Sequence, residues 1–584
     1  MTTVSAANLA LKTIGKPTTA PLARSTPSLM LLALTSGALL WASFYPLNWG
    51  WLGWVALVPL LGVVRARARP LRIYGAGLIC GLAFFIPALQ WMRAADDRMY
   101  FAWLPLALYC SLYFPAAIFF LRYLYQRTRL PLVITVPMVW TAFEFLRAHL
   151  ISGFPWYYLA HTQHQVLPLI QISDVTGAYG LSFLIAATNA LVFEFVRKWE
   201  WFRQLSEPGL RLDGVRIPMI FQVLGVFALF SAVLVYGLVR LHEENFKSGP
   251  RVLLVQPNVP QQIRNDATGA EDSARLVMSR YRDLTQKGLN EGLKPALIVW
   301  PESSLPETWY ELSERLHDER PDVAMYAAES HAEAIRLARV WHTDFLVGAT
   351  CVRIEDEKKS ERFNSAVFIR EDGKIDGRYN KIHRVPIGEY LPFRDTFPWM
   401  DTFSPYPFDY SVRPGVTLNR FKLGEFTFGV LICYEDTDPT LARQYALTGA
   451  DGKPVDFLVN ISNDGWFDGT SEHDQHLATC RFRAVEARRT IARSVNMGIS
   501  AVIDGSGRTI ALPGDSIAGS KKMEGLIASN LPIDDRRSYY AQFGDWLPWG
   551  CWIAIAGAVI FGLIRRLISS NPSSVSSGGA GASP

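Results

Sequence analysis

Eight apolar runs, each close to the length that crosses a bilayer, constrain this chain more than any other feature. They fall at Leu29 to Leu47, 49–64, 73–92, 101–125, 131–148, 174–196 and 218–240 and, after a long stretch of mixed composition, at 547–564. A spanning helix needs roughly 20 mostly apolar residues, so the pattern predicts a polytopic α-helical membrane domain of seven spans, an extramembrane segment, and an eighth span. The first run is longer than a signal-peptide core, and a second run follows almost at once, so it is expected to be retained. The net charge of +5 is small for 584 residues and is scattered between the apolar runs. Charge therefore gives no argument for a nucleic-acid partner, and none is expected.

Basic residues cluster after alternate runs. Lys12, Lys16 and Arg24 precede the first, Arg65, Arg67, Arg69 and Arg72 follow the second, and Arg122, Arg127 and Arg129 end the fourth. Arg197, Lys198, Arg203, Arg211 and Arg216 separate the sixth and seventh, and Arg565 and Arg566 follow the last. The opposite loops are poorer in positive charge: Asn48 to Gly50 has none, and Asp96 and Asp97 offset Arg93 and Arg98. By the positive-inside rule both termini are cytoplasmic and the long segment lies across the membrane. The expected organisation is a cytoplasmic tail at 1–27, seven spans within 28–243, an extramembrane domain at 244–540, an eighth span at 547–566, and a disordered cytoplasmic tail at 567–584 rich in Ser, Gly and Ala.

The extramembrane segment alternates strand-like and helix-like stretches. Strands are predicted at Arg251–Gln256, Ala296–Trp300, Asp344–Cys351, Ser365–Arg370, Phe426–Cys433, Val455–Ile461, Ser500–Asp504 and Leu526–Asn530. Helices are predicted at Glu271–Gln286, Ser330–Trp341 and Glu472–Val495, and the alternation implies an α/β layered domain. The six cysteines form no CxxC pair and no His/Cys cluster at metal-ligand spacing, so neither a metal nor another cofactor is expected.

Three strand ends carry chemistry. Leu297 to Trp300 runs into Glu302, Tyr379 to Pro386 places Lys381 in a loop, and the apolar run ending at Cys433 breaks into Tyr434-Glu435-Asp436. In α/β sheets the residues just past strand carboxyl ends meet in one crevice. A free cysteine is most often a small buried hydrophobe, and singly Glu302 could be a surface carboxylate and Lys381 a solvated cation. Together they fit a nucleophile, a general base and an oxyanion-stabilising cation.

Trp300-Pro301-Glu302, Tyr379-x-Lys381-x-His383-x-Val385-Pro386-x-Gly388-Glu389-Tyr390 and Ile432-Cys433-Tyr434-Glu435 resemble the signature segments of the nitrilase, or carbon–nitrogen hydrolase, superfamily. Within it they are most similar to the apolipoprotein N-acyltransferase family. Asn460-x-Ser462-Asn463-Asp464-x-Trp466-Phe467 and the run from Arg483 to Arg493, with Asn496, Gly498 and Asp504, extend the likeness. The resemblance implies a nitrilase-like αββα sandwich, a catalytic triad of Glu302, Lys381 and Cys433, and supporting roles for Glu389, Tyr434 and Glu435.

It further implies transfer of an acyl chain, through a thioester on Cys433, from a phospholipid such as phosphatidylethanolamine to the α-amine of a diacylglyceryl-cysteine on an apolipoprotein. The expected location is the bacterial inner membrane, with the catalytic domain on its periplasmic or outer side. Two other readings keep part of this pattern: a membrane-tethered amidase with the same triad, and a catalytically silent lipoprotein-binding protein. Many relatives carry a tryptophan where this chain reads Ile263-Arg264-Asn265-Asp266, so an aromatic substrate contact is either missing here or supplied from elsewhere, with Trp309 as a candidate. The aromatic-rich stretch Tyr390 to Tyr410 reads as a lid at the lipid surface. Phe154-Pro155-Trp156, with His161 and His164, reads as interfacial residues at helix ends, and Tyr539 to Trp549 as an aromatic belt.

Overall fold

The computed structural model describes residues 26–570 except 97–98, 129, 207–216, 244, 266–269, 357–358, 404–409 and 450–451. The expected tails, apart from their inner ends, lie outside the described residues, as do Asp97, Arg98, Arg129, Arg211, Arg216, Asp266, Tyr406 and Phe408. Among the described residues five helices are long and apolar enough to cross a membrane: Pro70–Ala94, Tyr100–Thr128, Ala178–Val196, Met219–His242 and Trp546–Ile564. Ser28–Ser43 and Gly50–Arg65 are apolar but shorter. The run at 131–148 folds as the helix Leu132–His149, with Glu144 and Arg147 buried inside the bundle.

Helices that are apolar all round need apolar surroundings on every side. Met219–His242 leaves Phe221, Leu224 and Phe227 more than half exposed, a face suited to lipid, whereas Ala178–Val196 is packed within the bundle. Close approach of neighbouring helices rests on small residues. A Cβ on Gly81 would stand 2.7 Å from the Ser111 backbone.

Residues 247–533 form two mixed sheets. In chain order the strands are β1 Lys247–Gln256, β2 Leu297–Val299, β3 Trp309–Leu312, β4 Asp344–Asp356, β5 Lys359–Ile369, β6 Ile375–Asn380, β7 Arg420–Leu423, β8 Phe426–Ile432, β9 Phe457–Ser462, β10 Thr490–Val495, β11 Ala501–Ile503, β12 Thr509–Ala511 and β13 Gly525–Ile533. The outer sheet runs β13-β1-β2-β4-β5-β6, with β3 paired to β4, and the inner sheet runs β12-β11-β10-β9-β8-β7. Parallel pairing joins β1, β2 and β4 in one sheet and β8, β9 and β10 in the other.

Side chains alternate across each strand, so each sheet buries both faces. Val252, Leu254, Leu346 and Phe368 meet Phe428, Val430, Ile461 and Ala492 between the sheets. Helices Ala270–Asn290 and Pro321–Trp341 cover the outer sheet, and Pro439–Ala446 and Ser471–Ala487 cover the inner one. The result is the αββα sandwich expected above.

The predicted helix Glu472–Val495 is corrected: it stops at Ala487, where Arg488 turns left-handed at φ 50°, and Thr490 to Val495 become β10. The Thr-Ile-Ala-Arg-Ser-Val run pairs with β9 along its whole length. Sheet pairing here overrides the helical reading of a mostly apolar stretch.

Candidate active site

The site forms where β2, β6, β8 and β9 end. Glu302 follows β2 on a sharp turn in which Ser303 takes a φ of 49°. That turn lies so close to β4 that a Cβ on Gly348 would stand 2.2 Å from the Pro301 carbonyl oxygen and 2.7 Å from Glu302 Cα. Only glycine leaves room for the carboxylate at this place.

Lys381 is the first residue after β6, and its ammonium is buried at 1% exposure. Nζ donates to Glu389 Oε1 at 2.9 Å and to Glu302 Oε1 at 3.5 Å. Asn364 of β5 completes the ring, its Nδ2 donating to Glu302 Oε1 at 2.7 Å and to Glu389 Oε1 at 3.0 Å. The second Glu302 oxygen accepts the Asn463 backbone N–H at 2.9 Å, and the second Glu389 oxygen accepts that of Val385 at 2.7 Å. Burial works against the Lys381 charge, but Glu389 and then Glu302 outweigh it and hold the group protonated, well above its ordinary range.

Cys433 opens a short turn, Cys433–Thr437, directly after β8 and takes a φ of 51°. A non-glycine residue held there costs about 1–3 kcal/mol and persists only where its surroundings fix it. Burial, reinforced by the Glu302 charge, pushes the thiol up to about 12, while Lys381 pulls it the other way. A thiol raised in this way is protonated near neutral pH, and a nucleophile at this place would need a base.

Glu435 is the staple of that turn. It is fully buried, and its oxygens accept the N–H groups of Ile432 at 2.7 Å, Ile382 at 2.6 Å and His383 at 3.0 Å, together with the Tyr379 hydroxyl at 2.9 Å. One carboxylate thereby ties the lysine loop to the cysteine turn. Burial raises its pKa to about 7 against the pull of those N–H groups and Lys381.

Tyr434 points into the membrane domain's core, where its ring stacks on Trp156 with centroids 6.1 Å apart and meets the edge of His383 at 5.3 Å. Trp156 is itself only 3% exposed and donates Nε1 to Gln475 at 3.1 Å. The interfacial reading of Phe154 to Trp156 is therefore corrected: the segment is buried beneath the catalytic domain. Trp309 is corrected too, since its ring is buried in the outer core against His331 at 4.0 Å and presents no face to a substrate. In the stretch read as a lid, Phe393, Phe397 and Trp399 are about half exposed or more, whereas Leu391 and Tyr410 are buried. Tyr539, Phe543, Trp546 and Trp549 are exposed in the same measure, as a belt would be, while Tyr540 is buried.

Below the cysteine turn Asp464, Glu472 and His476 each bring one ligand-type atom within 4.8 Å of the others. Arg493 Nη2 already meets Asp464 at 2.9 Å, and both His476 nitrogens face carboxylates, so the arrangement is an ion-pair network. Burial and Arg493 oppose charge on His476, but Asp436 and Asp464 overcome them and raise its pKa well above the ordinary range. The expected residues Glu302, Lys381, Cys433, Glu389, Tyr434 and Glu435 are all brought to this one region. Asn364, Gly348 and the Asn463 amide were not anticipated as members. Asn463 stood inside a matched segment without an assigned role, and nothing in the local sequence singled out Asn364 or Gly348.

Residues 283–538, the αββα sandwich that holds the buried Glu302–Lys381 pair and the Cys433 turn at its strand ends, match the carbon–nitrogen hydrolase family model. Residues 36–191 match the apolipoprotein N-acyltransferase N-terminal domain. The chain is 32% identical over 545 residues to the apolipoprotein N-acyltransferase of Geobacter metallireducens, covering 91% of this chain and 94% of that one. With its counterpart in Bradyrhizobium diazoefficiens it shares 29% over 568 residues, 93% and 96% of the two chains. The chain belongs to the apolipoprotein N-acyltransferase family, and is a bacterial membrane enzyme of the acyltransferase class.

Proposed function

We propose that the protein moves an acyl chain from a membrane phospholipid to the α-amine of the diacylglyceryl-cysteine of an apolipoprotein, through a thioester on Cys433. The observation that carries this reading is the Lys381 ammonium bound between Glu302 and Glu389 at the strand ends, beside the turn that Cys433 opens. Glu302 takes the thiol proton as sulfur attacks the ester carbonyl of a donor such as phosphatidylethanolamine. Lys381 and the Tyr434 backbone N–H stabilise the oxyanion. The carbon–oxygen bond to glycerol breaks, Glu302 returns the proton to the leaving oxygen, and a lysophospholipid departs. The amine then attacks the thioester and gives a proton to Glu302, the carbon–sulfur bond breaks, and the thiolate takes that proton back.

Glu389 orients Lys381, while Glu435 and Tyr434 hold the turn. Both substrates carry acyl chains, which explains why the domain is built onto a bundle and why Phe393, Phe397 and Trp399 expose their rings. In the same reading all eight apolar helices cross the inner membrane, both termini are cytoplasmic, and residues 244–540 stand on the periplasmic or outer side.

The test is an assay in which purified protein meets phosphatidylethanolamine with or without a diacylated lipopeptide. The reading expects lysophospholipid and triacylated peptide in equal amounts, and neither with Cys433→Ala. Release of free fatty acid irrespective of the peptide would favour an amidase-like hydrolase, and no reaction would favour a silent binding protein.

A further inference from the structure

Glu302, Lys381 and Cys433 account for the chemistry, yet four more charged side chains lie buried immediately beneath them. Asp436, Asp464, His476 and Arg493 are each at most 1% exposed. Burying charges costs several kcal/mol per ion before pairing returns any of it, so the arrangement asks for a geometric reason.

The connections supply one. Asp436 sits on the same turn as Cys433. Asp464 follows Asn463, whose backbone N–H donates to Glu302 Oε2. His476, on the helix Ser471–Ala487, places Nε2 2.7 Å from Asp436 Oδ1 and Nδ1 3.2 Å from Asp464 Oδ1, with Glu472 Oε1 at 3.4 Å. Arg493, on β10, donates Nη1 to Asp436 Oδ2 at 2.7 Å and Nη2 to Asp464 Oδ2 at 2.9 Å. Two cations thus bridge two carboxylates in a closed ring. One carboxylate belongs to the nucleophile's turn and the other to the turn that holds the base. The ring is in touch with the membrane domain, because Trp156 lies 5.7 Å from the His476 ring as well as 6.1 Å from Tyr434.

We propose that His476 is a positioning residue for acyl transfer: with Arg493 it clamps the Cys433 turn and the Asn463–Asp464 turn at a fixed spacing, and through Trp156 it keys that spacing to the seating of the membrane domain. This rests on the acyl-transfer reading of Cys433 and Glu302. It assigns the two ring nitrogens different duties. Nε2 holds the nucleophile's turn, and Nδ1 holds the turn under the base.

The two duties can be separated in the full-length protein. In His476→Gln the amide nitrogen can occupy the place of Nε2 and keep the bond to Asp436; in His476→Asn it can occupy the place of Nδ1, leaving Asp436 to Arg493 alone. Transfer from phosphatidylethanolamine to a diacylated lipopeptide is measured beside the melting temperature. Each variant keeps one contact of the clamp and loses the other, so expected are a kcat lowered about tenfold or more in both and KM values for both substrates within about threefold throughout. A kcat within about threefold of wild type in either variant, a change confined to KM, or activity that merely follows the folded fraction would overturn the clamp.

Should the asparagine variant fail to fold, Asp436→Asn keeps an acceptor at the same contact and carries the test. About a tenfold fall in kcat at unchanged KM is expected, and an unchanged kcat overturns the proposal. Absence of transfer by the wild-type protein would instead overturn the reading of Cys433, and the clamp's role with it.

Discussion

The two helical layers of the sandwich look alike in sequence and live in different surroundings. Ala270–Asn290, over the outer sheet, spends its charges on water: Arg275 meets Glu271 at 2.9 Å with side chains 69% and 85% exposed. Ser471–Ala487, over the inner sheet, is as rich in charged residues and is buried from Glu472 to Ala487. Its Arg483 pairs with Glu486 at 3.0 Å, and Arg488 just beyond it meets Asp174 of the membrane domain at 2.7 Å with both side chains fully buried. The inner layer is a seam between the domains, and its charges serve as contacts. The cysteine belongs to the inner sheet, the glutamate and lysine to the outer one, and the site lies where the two meet.

The two layers differ most at Arg488, where a buried ion pair joins the domains. Arg488→Ala removes one of the two cations on buried Asp174, leaving it Arg240 and the Tyr236 hydroxyl, and should destabilise the protein by about 3 kcal/mol, read as a large fall in melting temperature in detergent. Next comes the outer sheet's share of the site. Gly348→Ala should push the Glu302 turn outward and lower kcat about a hundredfold, while the protein stays folded.

The inner sheet's share is tested by pH. Because burial and Glu302 raise the thiol to about 12, the thiolate fraction below that value grows about tenfold per pH unit. Alkylation of Cys433 by iodoacetamide should therefore keep rising from pH 6 to pH 9. A plateau within that range would mean a lowered pKa and a thiolate formed in advance. Smallest of all is Arg275→Ala on the outer layer, expected to change stability by less than about 0.5 kcal/mol in thermal unfolding.

The layered α/β class and the strands carrying Glu302 and Cys433 were legible because long β-rich runs ended in abrupt polar turns. The boundary at Arg488 was not, since the stretch from Glu472 to Val495 has no proline or glycine to mark where helix gives way to strand. Nor was the burial of His476, Arg488 and Arg493, because a charged helix facing a second domain has the same local composition as one facing water. Trp156 shows the same limit from the apolar side. An aromatic near a helix end reads as a lipid anchor, and only the packing of Tyr434 against it reveals a contact between domains.

Acyl transfer by this protein stands or falls on an acyl group carried by Cys433. Intact-protein mass spectrometry after incubation with phosphatidylethanolamine, with the acceptor withheld, should find one acyl chain on the protein. It should map to Cys433, be removable by hydroxylamine, be lost on adding a diacylated lipopeptide, and never form in Cys433→Ala. An unmodified Cys433 in a preparation that still makes triacylated peptide would contradict transfer through this residue.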